Sequence, residues 1–147
     1  MNLALFDLDQ TLLPLDSDHA FGDYLVRHGW ADGEEHRRRN DAFYADYLAG
    51  TLDIAAYIEF VTEAWRQRPL DEQEDLRSRF MAELIEPAIK PAARELVGRH
   101  RERGHLLALV TATNDFVTTP IAQAFGIEHL IATRLERDAK GFAHQQR

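Results

Sequence analysis

Apolar residues follow two different rhythms along the chain. Residues 3–8 are almost continuously apolar, the pattern of a strand buried on both faces of a parallel sheet. Residues 106–113 repeat that pattern, and a short piece at 129–132 reads as a third strand. Helical spacing takes over elsewhere. Residues 91–103 place Ala93, Leu96, Val97 and His100 on one face and stop at Gly104. Between the second and third strands, Pro120 suits the first turn of a helix and Gly126 the left-handed residue after its end. Strand, helix, strand, helix, strand predicts a doubly wound α/β fold.

Residues 16–89 carry no convincing strand and several capped helical patterns. Ser17 or Asp18 is expected to cap a helix ending at Gly29, and Asp32 one running toward Gly50. Asp53 precedes a third, with Ile54, Tyr57, Ile58, Val61 and Trp65 at helical spacing, and Leu76, Phe80 and Leu84 mark a fourth after Pro69. The expected organisation is an α/β core from residues 1–15 and 90–147, interrupted by an all-helical insertion at 16–89. The insertion's aromatics (Phe43, Tyr44, Tyr47, Tyr57, Phe60, Trp65) are expected to pack between its helices.

Composition narrows the function. A length of 147 residues suits one domain with an insertion, and the net charge of −8 argues against nucleic acid as a partner. With no cysteine there is neither a disulfide nor a thiolate metal site. No apolar run approaches the roughly 20 residues needed to span a bilayer, and no basic leader precedes the first strand, so a cytoplasmic location is expected. Arg37, Arg38 and Arg39 are flanked by Glu34, Glu35 and Asp41, which reads as a solvated helix face.

The chemistry lies at the end of the first strand. Alternation predicts that Asp7 and Asp9 point to the same side, at the strand end where open α/β sheets bind ligands. Two carboxylates beside an apolar strand need a partner, and magnesium, a hard ion held by carboxylate, water and phosphate oxygens, meets that need. Asp7 is then a nucleophile toward phosphorus, and Asp9 the acid and base that serve the leaving alkoxide and the attacking water. Thr11 is expected to hold Asp9 in place. The alternative is that both carboxylates merely cap the following helix.

Asp7-Leu-Asp-Gln-Thr11 after an apolar strand resembles the first motif, D-x-D-x-T, of the haloacid dehalogenase (HAD) superfamily of phosphohydrolases. Residues 107–111, an apolar run ending in Thr111, resemble its second. The resemblance implies a Rossmannoid parallel sheet with a helical cap, as in subfamily IB, which includes phosphoserine phosphatases. It also implies a Mg2+ cofactor held by Asp7 and Asp9, a small phosphorylated metabolite as substrate, and Thr111 donating its hydroxyl to the phosphoryl group. The amides of Ala112 and Thr113 are expected to form an anion-binding turn, with Asn114 reaching into the site. By position, Asp16 or Asp18 holds a substrate amine, with helix capping the competing role for Asp18.

Two further parts of the family's pattern are not found. A lysine that screens the nucleophile from the phosphate is expected after the second motif. Lys90 precedes that motif, and Lys140 lies in a polar tail, residues 134–147, that also lacks an acidic strand end. The expectation is therefore a C-terminally truncated HAD-like sheet with an open edge. Losing one preorganised electrostatic group commonly costs on the order of 10²–10³ in rate. The competing expectation is a weakly active or inactive module that binds a partner, or forms a homodimer, through the open sheet edge. A phosphorylatable receiver domain is a third and weaker reading, because receivers lack so long an insertion.

Overall fold

The computed structural model of the chain describes residues 2–138 and 141–146. β1 (Leu3–Asp7) leads into α1 (Ser17–Arg27), α2 (Gly33–Ala49), α3 (Ile54–Glu63) and α4 (Leu70–Phe80). A π-helical turn, Met81–Ile85, joins α4 to the single turn α5 (Glu86–Ala88). Then follow α6 (Pro91–Glu102), β2 (Leu106–Asn114), α7 (Asp115–Phe125), β3 (His129–Thr133), β4 (Leu135–Asp138) and β5 (Gly141–Gln146). The first three strands form a parallel sheet in the order β1-β2-β3, the α/β class expected. Leu3 pairs with Leu106 and Asp7 with Val110, so the carboxyl end of β1 lies beside the part of β2 that leads to Thr111.

β1 is not buried on both faces. Ala4 and Phe6 point into the core, whereas Leu3 and Leu5 are 57% and 59% exposed. The reason is topological: two crossovers in the same direction place α6 and α7 on one face of the sheet. Phe6 accordingly meets His100 of α6 edge-on at 5.6 Å. The opposite face presents Leu3, Leu5, Leu106 and Ile131 to solvent.

The helical insertion shares the core of the sheet. Trp65, fully buried, stacks on Phe116 of α7 at 3.9 Å, and Phe21 of α1 meets both Phe80 and Phe116. Burying a side chain of this kind contributes about 1.5–3 kcal/mol. Tyr44 and Tyr47 differ from expectation. They are 60% and 65% exposed, and they stack on each other along α2 rather than between helices.

Asp32 and Asp53 cap α2 and α3 as the sequence predicts, and α2 ends at left-handed Gly50. The cap of α1 is neither Ser17 nor Asp18 but Asp16, whose Oδ1 accepts from the His19 amide at 3.0 Å. Ser17 is unavailable because both its amide and its hydroxyl are used elsewhere. Pro120 is not in the first turn of α7. Asn114 caps that helix through the Val117 amide (3.2 Å), which leaves Pro120 in its interior.

The polar tail also differs. β4 and β5 pair antiparallel, with Asp138 opposite Gly141, and Leu135 is buried. Leu135 beside charges and the short Phe142-Ala143 pair make no strand-like run there. Lys140 and Arg147 lie outside the described residues.

Candidate active site

The chain turns as soon as β1 ends. The Thr11 and Leu13 amides both donate to the Leu8 carbonyl at 3.1 Å, and the Leu12 amide donates to that of Asp7 at 3.3 Å. Gln10 is forced to φ 60°, the left-handed region that side chains other than glycine, Asn or Asp rarely adopt. Asp9 therefore stands in the turn, beyond the strand. Strand alternation is not what brings it to the same cavity as Asp7; the turn is.

Thr11 holds the other aspartate. Its hydroxyl donates to Asp7 Oδ2 at 2.9 Å and leaves Asp9 alone, because the turn folds Thr11 back over the strand end. Asp9 is held by two distant elements. Its Oδ1 accepts from the Ser17 amide (2.7 Å) and hydroxyl (2.5 Å). Its Oδ2 accepts from the hydroxyls of Thr111 (2.8 Å) and Thr113 (3.1 Å). Four donors offset the cost of placing a carboxylate against an apolar strand. Ser17 is the member that sequence reasoning missed, since a serine at a helix start reads as a cap.

Thr111 lies within β2, three residues before its end rather than at it, with its hydroxyl directed at Asp9. Ala112 and Thr113 do not form an open turn. β2 continues to Asn114 across an irregularity in its pairing with β3, and the Thr113 amide donates to Thr111 Oγ1 at 3.1 Å. Asn114 lines the cavity, but its Oδ1 is engaged in capping α7.

Asp7 and Asp9 open into a cavity of about 790 Å³ between the strand ends and the insertion. Asp16, Asp18, His36, Tyr44, Tyr47 and Tyr57 line its other walls, and among the described residues no lysine or arginine does. Asp18 is half-buried in the first turn of α1 and accepts from the Tyr57 hydroxyl, so it is not the cap. Burial pushes its carboxyl up to about 6, helped by the charges of Asp16 and Asp9 and opposed by the Tyr57 hydrogen bond. Tyr57 is pushed up in turn, by burial first and then by Asp18. Burial lowers His36, which stacks on Phe60. Lys90 is exposed at the start of α6, away from these walls.

Among the described residues no group of three or more His, Cys, Asp or Glu is arranged to hold a metal ion. Magnesium does not require one, because water and phosphate oxygens complete a shell begun by one or two carboxylates. The exposed Asp7 carboxylate suits that role. The Asp9 side chain, with four donors on its two oxygens, suits it less. No helix among the described residues is long and apolar enough to cross a membrane.

Residues 4–146 match the family described as haloacid dehalogenase-like hydrolase. A histidinol-phosphatase of Neisseria meningitidis is 41% identical over 140 residues, which cover 95% of this chain and 63% of that protein. A protein of unknown function from Bordetella pertussis Tohama I is 44% identical with a TM-score of 0.90, over 99% of this chain and 66% of that one. A substrate-bound phosphoserine phosphatase shares the fold, at 19% identity and a TM-score of 0.61, over 99% of this chain and 61% of that one. The chain thus spans less than two thirds of the length of each of these proteins.

Proposed function

Since the chain belongs to the haloacid dehalogenase-like hydrolase family, we propose that it forms the site of a magnesium-dependent phosphatase acting on a small phosphorylated metabolite. The observation that carries this reading is the division of labour between the two aspartates. Asp7 is exposed at the cavity, while Asp9 is fixed by four donors beside Thr111.

In this reading the Asp7 carboxylate attacks phosphorus and forms an aspartyl-phosphate. Once the Thr111 hydroxyl leaves it, Asp9 Oδ2 takes up a proton from solvent, gives it to the departing alkoxide, and later takes one from the water that attacks the acyl-phosphate. The Thr111 hydroxyl turns from Asp9 to a phosphoryl oxygen. Magnesium, held by Asp7, supplies positive charge where negative charge accumulates. Residues 1–15 and 90–147 act as the catalytic core and residues 16–89 as the specificity cap.

The substrate has a positively charged group in this reading. Asp16 is committed to capping α1, so Asp18, facing an aromatic wall of Tyr44, Tyr47 and Tyr57, is the residue placed to meet an amine or imidazolium. Histidinol phosphate, named by the Neisseria relative, is the first substrate to test.

The experiment is phosphate release from an aryl phosphate and from histidinol phosphate, with and without magnesium, by the wild type and Asp7→Asn. Magnesium-dependent release lost in Asp7→Asn supports the reading; release unchanged by that substitution overturns it. A second reading, self-association through the bare sheet face, is favoured by the exposure of Leu3, Leu5 and Ile131. Sedimentation of the chain as a monomer at micromolar concentration would dispose of it.

A further inference from the structure

A proline inside a helix removes one amide donor and pushes aside the carbonyl four residues earlier. In α7 the proline is Pro120 and the carbonyl is that of Phe116. That carbonyl has a partner from another helix. Arg77 Nη1 of α4 donates to it at 3.0 Å, with the guanidinium carbon 4.6 Å from the centroid of the Phe116 ring. Trp65 stacks on the same ring. The turn held in this way begins at Asn114, the last residue of the strand that carries Thr111 and Thr113.

We propose that Arg77 is a positioning residue. It replaces the amide that Pro120 lacks, ties the helical insertion to the first turn of α7, and thereby holds the end of β2 where its two threonine hydroxyls meet Asp9. Arg77 does not line the cavity, so any effect on the chemistry is indirect, here through its bond to the Phe116 carbonyl. The catalytic consequence rests on the phosphatase reading; the tie itself does not. The geometry also explains why an interior proline is tolerated in a helix next to the site. A guanidinium supplies what the backbone cannot, and it reaches across from the insertion that covers the cavity.

The test is a double-mutant cycle in the full chain, using Arg77→Met, Pro120→Ala and both together. Hydrogen exchange of the Val117 and Thr118 amides reports the first turn of α7. Arg77→Met should speed that exchange about tenfold, the loss of one charged hydrogen bond. In the Pro120→Ala background the same substitution should change it by less than about twofold, because the alanine amide now serves the Phe116 carbonyl. An equal effect in both backgrounds, or none in the wild type, overturns the proposal. Arg77→Lys, which keeps one charged donor, should give an intermediate rate and stands in if Arg77→Met does not fold.

Steady-state kinetics on an aryl phosphate form the second readout. KM should rise in Arg77→Met and recover in the double variant, a pattern that general destabilisation does not produce. A wild type with no turnover at all counts against the phosphatase reading, and the exchange cycle still decides the role of Arg77.

Discussion

Replacing Asp18 by Asn should stabilise the folded chain at neutral pH. The folded carboxyl titrates near 6 against 3.8 for an unperturbed one, chiefly because burial disfavours its charge. At about 1.4 kcal/mol per tenfold, that difference amounts to about 3 kcal/mol. Solvent reaching this half-buried side chain reduces it to about 2 kcal/mol. The Tyr57 hydrogen bond, which favours the charged form, is already contained in that difference. The net gain expected at pH 7.5 is about 2 kcal/mol. The pH window follows from the same values. Below 3.8 the folded and unfolded chains both hold the proton, and between 3.8 and about 6 only the folded chain does. Stability therefore falls with rising pH across that window and carries the full cost above it. Urea unfolding of the wild type and Asp18→Asn at pH 3.5, 5 and 7.5 is the assay. The variant should be the more stable at pH 7.5, and the advantage should vanish or reverse by pH 3.5. A variant less stable than wild type by the same amount at all three values would refute the reasoning.

Two further predictions address the site and the core. Ser17→Ala removes the hydroxyl 2.5 Å from Asp9 and leaves the backbone amide in place. It should lower kcat on an aryl phosphate by about tenfold with little change in KM, as read in steady-state kinetics. Trp65→Ala empties the fully buried position stacked on Phe116. It should cost about 3–5 kcal/mol, measured as a fall in the urea midpoint.

Continuous apolar runs and well-placed caps made β1, β2, α2 and α3 legible in the sequence. What it could not convey was partnership at a distance. Ser17 and Asp9 are eight residues apart, and Thr111 and Thr113 approach Asp9 from about a hundred residues away. Local rules therefore assigned Ser17 to a cap and Thr11 to the wrong aspartate. Pro120 was misplaced because the cap one residue before α7 is the last residue of a strand, a position that carries no separate signal. The β4–β5 pairing carries little signal because β4 has one apolar residue beside charges and β5 only the Phe142-Ala143 pair among polar residues. The exposure of Leu3 and Leu5 follows from strand order, which the apolar run cannot encode.

The central claim is that Asp7 becomes phosphorylated during turnover. Borohydride reduction of the chain while it hydrolyses an aryl phosphate in magnesium converts an aspartyl-phosphate to homoserine, which peptide mass spectrometry then locates. The account predicts homoserine at position 7, dependent on substrate and magnesium, and none in Asp7→Asn. Turnover accompanied by an unmodified Asp7, or by modification at Asp9 instead, would contradict it.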